Sequence, residues 1–350
     1  RNPFDAQHLE LQNLRFTKDE KKIRFEVQSS LDSLKPLEER AKLKNKADSM
    51  GKKLYFLEYD LLNQSLKERL GAAKEKDALS WASFSPDTSK VIYAKNYNLF
   101  WMDKSNYDKL LKNEKDSSIV EHAITTDGSQ YYAWGGAEYS TTNIDYKDKE
   151  AAQKRKAVRI AWSPDGQYFV LSRKDNRSLS PLWVIDNVSK DRPVLETYKY
   201  LMPGEVDSTE QELHLFNSSD FSAKAIHVAA YKNQTLSLWN KDRTKSSYSG
   251  KYAINYWLGD NSGFYISRSS RDLKRIDLLF VETSGAVKTL VEERSNVYLD
   301  IQKPTLINQG NGFIHWSQRD GWGHYYKYNK EGQLISQLTQ GAFNCVEILG

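Results

Sequence analysis

Cysteine is almost absent from this sequence of 350 residues, in which Cys345 is the only one. A single thiol excludes an intrachain disulfide and a metal site built from several thiolates. The six histidines are scattered along the chain, and none forms an HExxH-like pair. The sequence therefore predicts neither a metal site nor a bound cofactor.

Long apolar runs are also missing. No stretch approaches the roughly 20 apolar residues that a membrane-spanning helix needs, and the first residues, Arg1-Asn2-Pro3, do not resemble a signal peptide. The net charge is only +5, from 51 Lys and Arg against 46 Asp and Glu, which is too small and too dispersed to predict a nucleic-acid-binding surface. We therefore expect no membrane span in this chain and no nucleic-acid partner.

Aromatic residues, by contrast, are plentiful. Nine Trp, 21 Tyr and 13 Phe make up 12% of the chain. Because aromatic side chains favour the pleated, half-buried surfaces of β-sheets, this composition favours a β-rich protein. The length alone allows either two ordinary domains or one large all-β body.

The stretch RIAWSPDGQYFVLSRKDNRSLSPLWVID, at 159–186, shows the local pattern. Ile160 and Trp162 alternate with polar neighbours, Pro164-Asp165-Gly166 has strong turn chemistry, and apolar runs follow at 168–171 and 182–185. This order predicts three antiparallel strands in fewer than about thirty residues.

A related motif recurs along the chain: an aromatic or aliphatic residue, a small polar residue, any residue, Asp and a turn residue, and then an apolar alternation. Its seven copies begin at residues 16, 84, 124, 162, 216, 258 and 307. The spacing scatters around the roughly 40–50 residues of a four-stranded propeller blade. The sequence therefore predicts an all-β fold, a β-propeller of four-stranded antiparallel blades, with at least six recognisable blades here and seven or eight in the complete domain.

Most copies are followed by a further apolar run, which we interpret as the third strand of each blade. These runs lie at 54–56, 99–101, 182–184, 236–239, 278–280 and 325–328. Polar inserts at 31–53, 139–155 and 202–211 interrupt the repeat, and in the first one Leu34, Leu37, Ala41 and Leu43 are spaced like a short helix. A generic β-sandwich is the alternative, but sandwiches do not repeat one strand order over so long a period.

Two stretches resemble blades of a known family. AWSPDG at 161–166 followed by LWVIDNVSKDRP at 182–193, and HWSQRDGWGHYYKYNKEGQLISQLTQG at 315–341, are similar to the N-terminal propeller of the dipeptidyl peptidase IV branch of the prolyl oligopeptidase-like serine peptidases. The second stretch is the more specific, since WSPDG is shared by many propellers, including TolB-like ones. The resemblance covers most of the chain from about Leu79 onward.

The resemblance implies that residues 1–350 form that N-terminal propeller, complete or incomplete, in front of an α/β-hydrolase domain that carries the catalytic Ser, Asp and His. The chain contains no G-x-S-x-G nucleophile elbow and stops at Gly350 after a blade. We therefore expect the hydrolase domain to lie beyond this chain, and the chain alone to be inactive.

The implied function is that of a gate in an exported serine exopeptidase, periplasmic or at the cell surface, which positions the peptide N-terminus for cleavage. The implied partners are peptide substrates, the protein's own hydrolase domain and a second copy in a homodimer. The alternative is a freestanding TolB- or WD40-like propeller that binds a protein partner.

Members of this family that remove dipeptides hold the free amino terminus with paired glutamates shortly upstream of the W-S-P strand. Here that pair corresponds to Ala151 and Ala152, so only Glu150, or Glu138 from the same insert, could offer a carboxylate. The family also uses an Arg on an early blade to bind a substrate carbonyl. Lys95 is the nearest cation in this sequence, although an ordinary lysine at a blade edge is the simpler interpretation.

Three further side chains are candidates for substrate binding. Arg173 and Arg177 lie with Asp175 in a loop of the kind that lines one end of a propeller channel, although ion pairs among themselves or with the next blade are the simpler interpretation. Glu205 follows Pro203-Gly204 in the third insert and could reach a cavity or a neighbouring subunit. A solvated loop would explain it equally well.

Overall fold

A computed structural model gives the fold of this protein. It describes residues 11–17, 21–34, 50–70, 79–135, 152–188, 192–205, 209–238, 257–258, 260–300 and 302–348. The chain divides into two compact units, Arg1–Ala78 and Leu79–Gly350.

The first unit contains one four-stranded antiparallel sheet in which each strand pairs with the next. Val27 and Leu57 are its buried apolar residues, on two neighbouring strands. The strands of this first sheet are β1 (Leu11–Phe16), β2 (Lys22–Leu34), β3 (Met50–Asp60) and β4 (Ser65–Glu68).

The predicted helical insert at 31–53 is wrong at both of its ends. Leu34 is the last residue of β2 and Met50 is the first of β3, and the register pairs these two residues directly. Leu37, Ala41 and Leu43, which suggested the helix, lie outside the described residues. Long-range pairing of β2 with β3 therefore extends further than the local spacing of apolar residues indicated.

The second unit begins with a second four-stranded sheet. A nine-residue helix, α1 (Lys104–Lys112), interrupts it between the third and fourth strands. Asp103 caps this helix by accepting a hydrogen bond from the backbone N–H of Asn106 at 2.7 Å, and Tyr107 and Leu110 bury one face. The strands are β5 (Ser83–Phe84), β6 (Lys90–Lys95), β7 (Asn98–Asp103) and β8 (His122–Ala123).

The third sheet has the order β14-β13-β10-β9 and carries an additional hairpin between β10 and β13. The hairpin strands pair only with each other among the described residues. The sheet strands are β9 (Ala161–Trp162), β10 (Tyr168–Asp175), β13 (Glu210–Asn217) and β14 (Ala223–Ile226), and the hairpin strands are β11 (Pro181–Asp186) and β12 (Val194–Lys199).

The fourth and fifth sheets are four-stranded meanders, with one 3₁₀ turn at Asn308–Gly310. The fourth contains β15 (Thr235–Leu238), β16 (Gly263–Ser269), β17 (Arg275–Glu282) and β18 (Val287–Arg294). The fifth contains β19 (Thr305–Ile307), β20 (Gly312–Ser317), β21 (His324–Asn329) and β22 (Leu334–Gln337).

Within the second unit, consecutive sheets pack face to face. Phe169 of the third sheet stacks on Phe216 beside Ile92 of the second sheet, in one shared apolar cluster. A further cluster joins the third sheet to the fourth, and another joins the fourth to the fifth through Tyr265 and Phe313. Each sheet thus buries one face on the next, as propeller blades do.

The seven motif copies do not correspond to seven sheets among the described residues. The copy at 216 is wrong as a separate blade, because Phe216 belongs to β13 of the third sheet. The copy at 124 follows β8, and the described residues 124–135 form no strand. The described residues form five four-stranded sheets, so the count of at least six blades is not reached in them.

Two of the predicted third strands are also wrong. The run at 182–184 lies in β11 of the additional hairpin, and the run at 236–239 begins within β15, the first strand of the fourth sheet. The other four runs lie on the third strands β3, β7, β17 and β21, as predicted.

Candidate functional site

A cavity of about 430 Å³ lies beside the turn that joins β6 to β7. The described end of the second insert reaches this turn, because the carbonyl of Ala152 accepts a hydrogen bond from the backbone N–H of Asn96 at 2.6 Å, and Ala94 pairs with Lys156. We call it the Lys95 cavity. Its described lining residues are Trp81, Lys95, Glu114, Gln153, Lys154 and Arg155.

One carboxylate organises the floor of the Lys95 cavity. Glu121 accepts hydrogen bonds from Lys95 Nζ at 2.5 Å, from Arg155 Nε at 2.6 Å and from the hydroxyl of Tyr93 at 2.7 Å. Burial raises the pKa of Glu121, but these three donors outweigh it and hold the pKa below its ordinary value. Glu121 is therefore an anion that fixes two cations at the cavity.

Ala152 takes no part in lining this cavity. It is 3% exposed and packs in the apolar cluster that contains Ala94 and Val158. A glutamate here would place its charge in that cluster, at a cost that such burial makes prohibitive without a partner. Packing therefore explains an alanine at this position. Ala151 lies outside the described residues.

A second cavity, of about 1220 Å³, lies beside β10 and β13, and we call it the Arg173 cavity. Arg173 is almost completely buried and donates to Asp127 Oδ2 at 2.6 Å and to the backbone carbonyl of Tyr132 at 2.9 Å. Its guanidinium also stacks on the rings of Tyr132 and Trp134, 3.3 and 4.2 Å from their centroids. The two terminal nitrogens and both faces of the guanidinium are thus held by contacts within the chain, whereas the buried Nε has no hydrogen-bond partner among the described residues.

The ring of Tyr132 lies between two guanidinium groups. Arg177 stacks 4.0 Å from its centroid, in addition to the contact with Arg173. The hydroxyl donates to Glu212, whose carboxylate is also 2.9 Å from His214 Nε2. Burial and the hydrogen bond to Glu212 raise the pKa of Tyr132, so the phenol stays neutral and donates. The cavity wall is thus a connected network of charged groups and aromatic rings.

The structure distributes the predicted site residues over different places. Lys95 and Arg173 line the two cavities, but they do not share one. The predicted loop is wrong for Arg173 and Asp175, because both lie in β10. Arg177 forms an ion pair with Asp175 at 2.6 Å, as the simpler interpretation has it. Glu205 closes its own turn by accepting a hydrogen bond from the backbone N–H of Met202 at 2.7 Å.

Glu138 and Glu150 lie outside the described residues, and their role stays a prediction.

Sequence reasoning missed the partners that hold these cations. Glu121 lies outside every copy of the repeat, and Asp127 was noticed only as a turn residue of the copy at 124. Tyr132 and Glu212 carry no local signal at all. Strand pairing places Glu212 opposite Arg173 and puts Glu121 immediately before the start of β8. Asp127 and Tyr132 reach Arg173 from a segment that forms no strand.

Two kinds of feature are missing from the part of the chain that the structure describes. It shows no group of three or more His, Cys, Asp or Glu residues placed to hold a metal ion. It also contains no helix that is long and apolar enough to cross a membrane.

The chain is similar to known proteins of one kind. Dipeptidyl peptidase 4 of Trichophyton rubrum is 21% identical over an alignment of 308 residues, and the match covers 76% of this chain and 38% of that protein. The crystal structure of Porphyromonas gingivalis dipeptidyl peptidase 4 superposes with a TM-score of 0.55 at 19% identity, over 98% of this chain and 42% of that one. A putative dipeptidyl aminopeptidase IV from Bacteroides ovatus gives 0.53 at 15% identity, over 95% and 48%.

The two structural likenesses confirm the predicted fold class, an all-β propeller-like domain of four-stranded antiparallel blades. The chain spans less than half the length of each of these three relatives. The sequence pattern of the dipeptidyl peptidase IV (DPP IV) N-terminal region matches residues 38–350. This match extends over most of the sequence, and the chain therefore belongs to the dipeptidyl peptidase IV N-terminal region family.

Proposed function

We propose that this chain is the propeller domain of an exported serine exopeptidase of dipeptidyl peptidase IV type. In this proposal it controls access to an α/β-hydrolase domain outside the chain and positions the peptide N-terminus for cleavage there. Family membership over residues 38–350 supports the domain type, and the relatives are more than twice as long as the part that this chain covers.

One observation carries the positioning role. The resemblance points to two substrate-facing places, Lys95 and the segment at 149–155, and they are far apart in sequence. In the structure the last residues of this segment, 153–155, line the same cavity as Lys95. Two features that a peptide N-terminus would have to contact are thus close together.

The chemistry assigned to this chain is binding and not bond cleavage. Lys95 is half-buried and fixed by Glu121, so it can donate to a peptide carbonyl without first being ordered. The catalytic Ser, Asp and His are proposed to come from the hydrolase domain. Peptides small enough to enter, and not folded proteins, are the proposed substrates.

The test is activity in the parent protein compared with this chain. The full-length product of the parent gene should cleave aminoacyl-proline chromogenic substrates, and replacing the Ser of its G-x-S-x-G elbow by Ala should abolish turnover. The purified 350-residue chain should show none. Turnover by the chain alone that survives repurification would show that the chemistry is misplaced.

A parent gene without such an elbow would favour the alternative, a freestanding protein-binding propeller.

Export and assembly are part of the same proposal. We expect the parent protein in the periplasm or at the cell surface, as a homodimer. Fractionation of cells that express the tagged parent gene, followed by light scattering of the purified protein, checks both expectations. Recovery in the cytosolic fraction would contradict export, and a monomeric mass would contradict the dimer.

A further inference from the structure

The Lys95 cavity offers many more hydrogen-bond donors than acceptors. An ammonium group has three N–H bonds and a guanidinium has five. Lys95 and Arg155 each donate one hydrogen bond to Glu121, and Lys154 donates none within the part of the chain that the structure describes. Glu114 is 3.7 Å from Arg155 Nη1, beyond hydrogen-bond distance, and is 78% exposed. A ligand that satisfies this wall must bring acceptor oxygens.

These donors are held in place. Lys95 and Arg155 are only 26% and 16% exposed, and both converge on the same Glu121 carboxylate. The Arg155 guanidinium also lies over the rings of Trp81 and Tyr93, 5.6 and 5.9 Å from their centroids. Because Lys95 and Arg155 are ordered before a ligand arrives, these two side chains lose little conformational entropy when an anion binds.

The size of the cavity argues for a side chain and not for a single small ion. One water molecule occupies about 30 Å³ of liquid, whereas the cavity measures about 430 Å³. Gln153 and the indole of Trp81 complete the lining and can contact the less polar part of a ligand. The cavity suits a carboxylate on a short apolar stem.

We propose that the Lys95 cavity is a subsite for an acidic side chain at the N-terminal residue of a peptide. The placement at the N-terminus rests on the proposed function, because Gln153, Lys154 and Arg155 belong to the segment, 149–155, that the resemblance places at the substrate's amino terminus. Ala152 of this segment is buried in the core, whereas Lys154 and Arg155 line the cavity. Together with Lys95, these cations favour an anionic group.

The experiment is isothermal titration of the 350-residue chain with two peptide amides, Glu-Pro-Ala-NH₂ and Gln-Pro-Ala-NH₂. The peptides differ only in one carboxylate, and neither has a C-terminal charge. We expect the Glu peptide to bind on the order of tenfold more tightly, as one charge-assisted hydrogen bond predicts. Inorganic phosphate should compete with the Glu peptide and leave binding of the Gln peptide unchanged.

Two variants locate the effect, and a third is the matched control. Lys154→Met removes a cation that has no partner in the described chain, so it should fold normally, and Lys95→Met leaves Glu121 bound to Arg155 and Tyr93. Both should reduce the preference for the Glu peptide to less than about threefold. Lys22→Met removes a lysine that shares Glu58 with Arg24 in the same way, and should keep the full preference.

Equal affinity of the wild-type chain for the two peptides would overturn the proposal, as would a preference that both cavity variants retain. Phosphate that competes with neither peptide would also count against it. Because the titration needs no catalysis, the two proposals can fail separately. If the parent enzyme cleaves peptides but this chain shows no charge preference, only the subsite proposal is refuted. If this chain shows the charge preference but the parent protein is inactive, only the proposed peptidase function is refuted.

Discussion

Asp277, on β17, is the most completely buried carboxylate among the described residues, with 0% exposure. It accepts hydrogen bonds from the Tyr231 hydroxyl at 2.6 Å, from Arg268 Nε at 2.7 Å and from Arg294 Nη1 at 2.6 Å. The Arg268 side chain is only 13% exposed, whereas that of Arg294 is 41% exposed. Removing the negative charge therefore leaves Arg268 without a counter-ion in a poorly solvated place.

Asp277→Asn preserves the shape of the side chain and removes only the charge. Breaking a buried ion pair by removing one partner typically costs about 3–5 kcal/mol. At about 2–4 °C of melting temperature per kcal/mol for a domain of this size, Tm should fall by about 6–20 °C. Thermal unfolding followed by circular dichroism or calorimetry at pH 7 measures this change.

The pH dependence gives an independent check. Burial raises the pKa of Asp277, but the hydrogen bonds from Tyr231, Arg268 and Arg294 outweigh it and hold the pKa below the ordinary value of 3.8. A folded-state pKa below the unfolded one stabilises the protein above the unfolded value, and this stabilisation is lost as the pH falls through the folded value. The difference in Tm between wild type and variant should thus be constant down to about pH 4 and shrink below it.

The matched control is Asp108→Asn on α1. Asp108 pairs with Lys104 one turn away, and both side chains are about half exposed, 48% and 45%. Such a pair contributes about 0.3–0.5 kcal/mol, so the control should melt within 2 °C or so of wild type. If Asp277→Asn melted no lower than this control, the reasoning about the buried charge would be refuted.

The remaining predictions concern packing and specificity. Gly128→Ala should lower Tm by several degrees, because the added Cβ would lie 2.1 Å from a backbone carbonyl oxygen. In Gly321→Ala the added Cβ meets no atom within 4 Å, so this variant should lose only about 1 kcal/mol through the strain of its φ of +92°. Equal melting of the two variants would contradict this. Ala152→Glu should destabilise the chain by at least about 3 kcal/mol in urea unfolding, since it puts a carboxylate among apolar side chains, and unchanged stability would show that the side chain can turn outward. In the parent enzyme, kcat/KM should differ less between free and acetylated peptide N-termini than in dipeptide-removing relatives, unless Glu150 or Glu138 binds the amino terminus. A strong preference for the free amine that neither Glu150→Ala nor Glu138→Ala reduces would show that another group binds the amino terminus.

The turns of the blades could be predicted from local sequence. In the opening motif, Ser163 Oγ donates to Asp165 at 2.6 Å, and Gly166 adopts a φ of +72°, as turn chemistry indicates. The same arrangement follows Ser85, whose hydroxyl donates to Asp87 at 2.5 Å. These contacts lie within a few residues of one another, so their geometry follows from local sequence.

One turn of the same design was missed. Ser270 donates to Asp272 at 2.6 Å and exchanges hydrogen bonds with Arg275, and Leu273 occupies the left-handed position with a φ of +54°. No glycine marks this position, and the turn joins the second and third strands of its sheet instead of the first and second. The pairing of β16 with β17 imposes the turn in spite of the leucine.

The assignment of strands to sheets was decided only by the tertiary structure. The apolar runs at 182–184 and 236–239 have the period of a strand, and both do lie at least partly in strands. The local pattern does not indicate which strand each run pairs with. β13 pairs with β10, although the hairpin of β11 and β12 lies between them in sequence. Partner choice depends on which faces can be buried together, which is a property of distant segments.

Lys95 was a candidate only through the family resemblance. Local sequence was enough to predict that this chain is all-β, that its strands alternate in period two around Ser-x-Asp turns, and that Arg173 is a candidate cation. These features depend on neighbours within about ten residues, where side-chain direction and turn geometry follow from local chemistry. The contacts of Glu121 with Lys95 and Arg155, and the burial of Ala152, become visible only in the folded chain. Both contacts form only when segments far apart in sequence come together. The free energy that favours this arrangement comes from burying apolar surface of both segments, so it cannot be read from either segment alone.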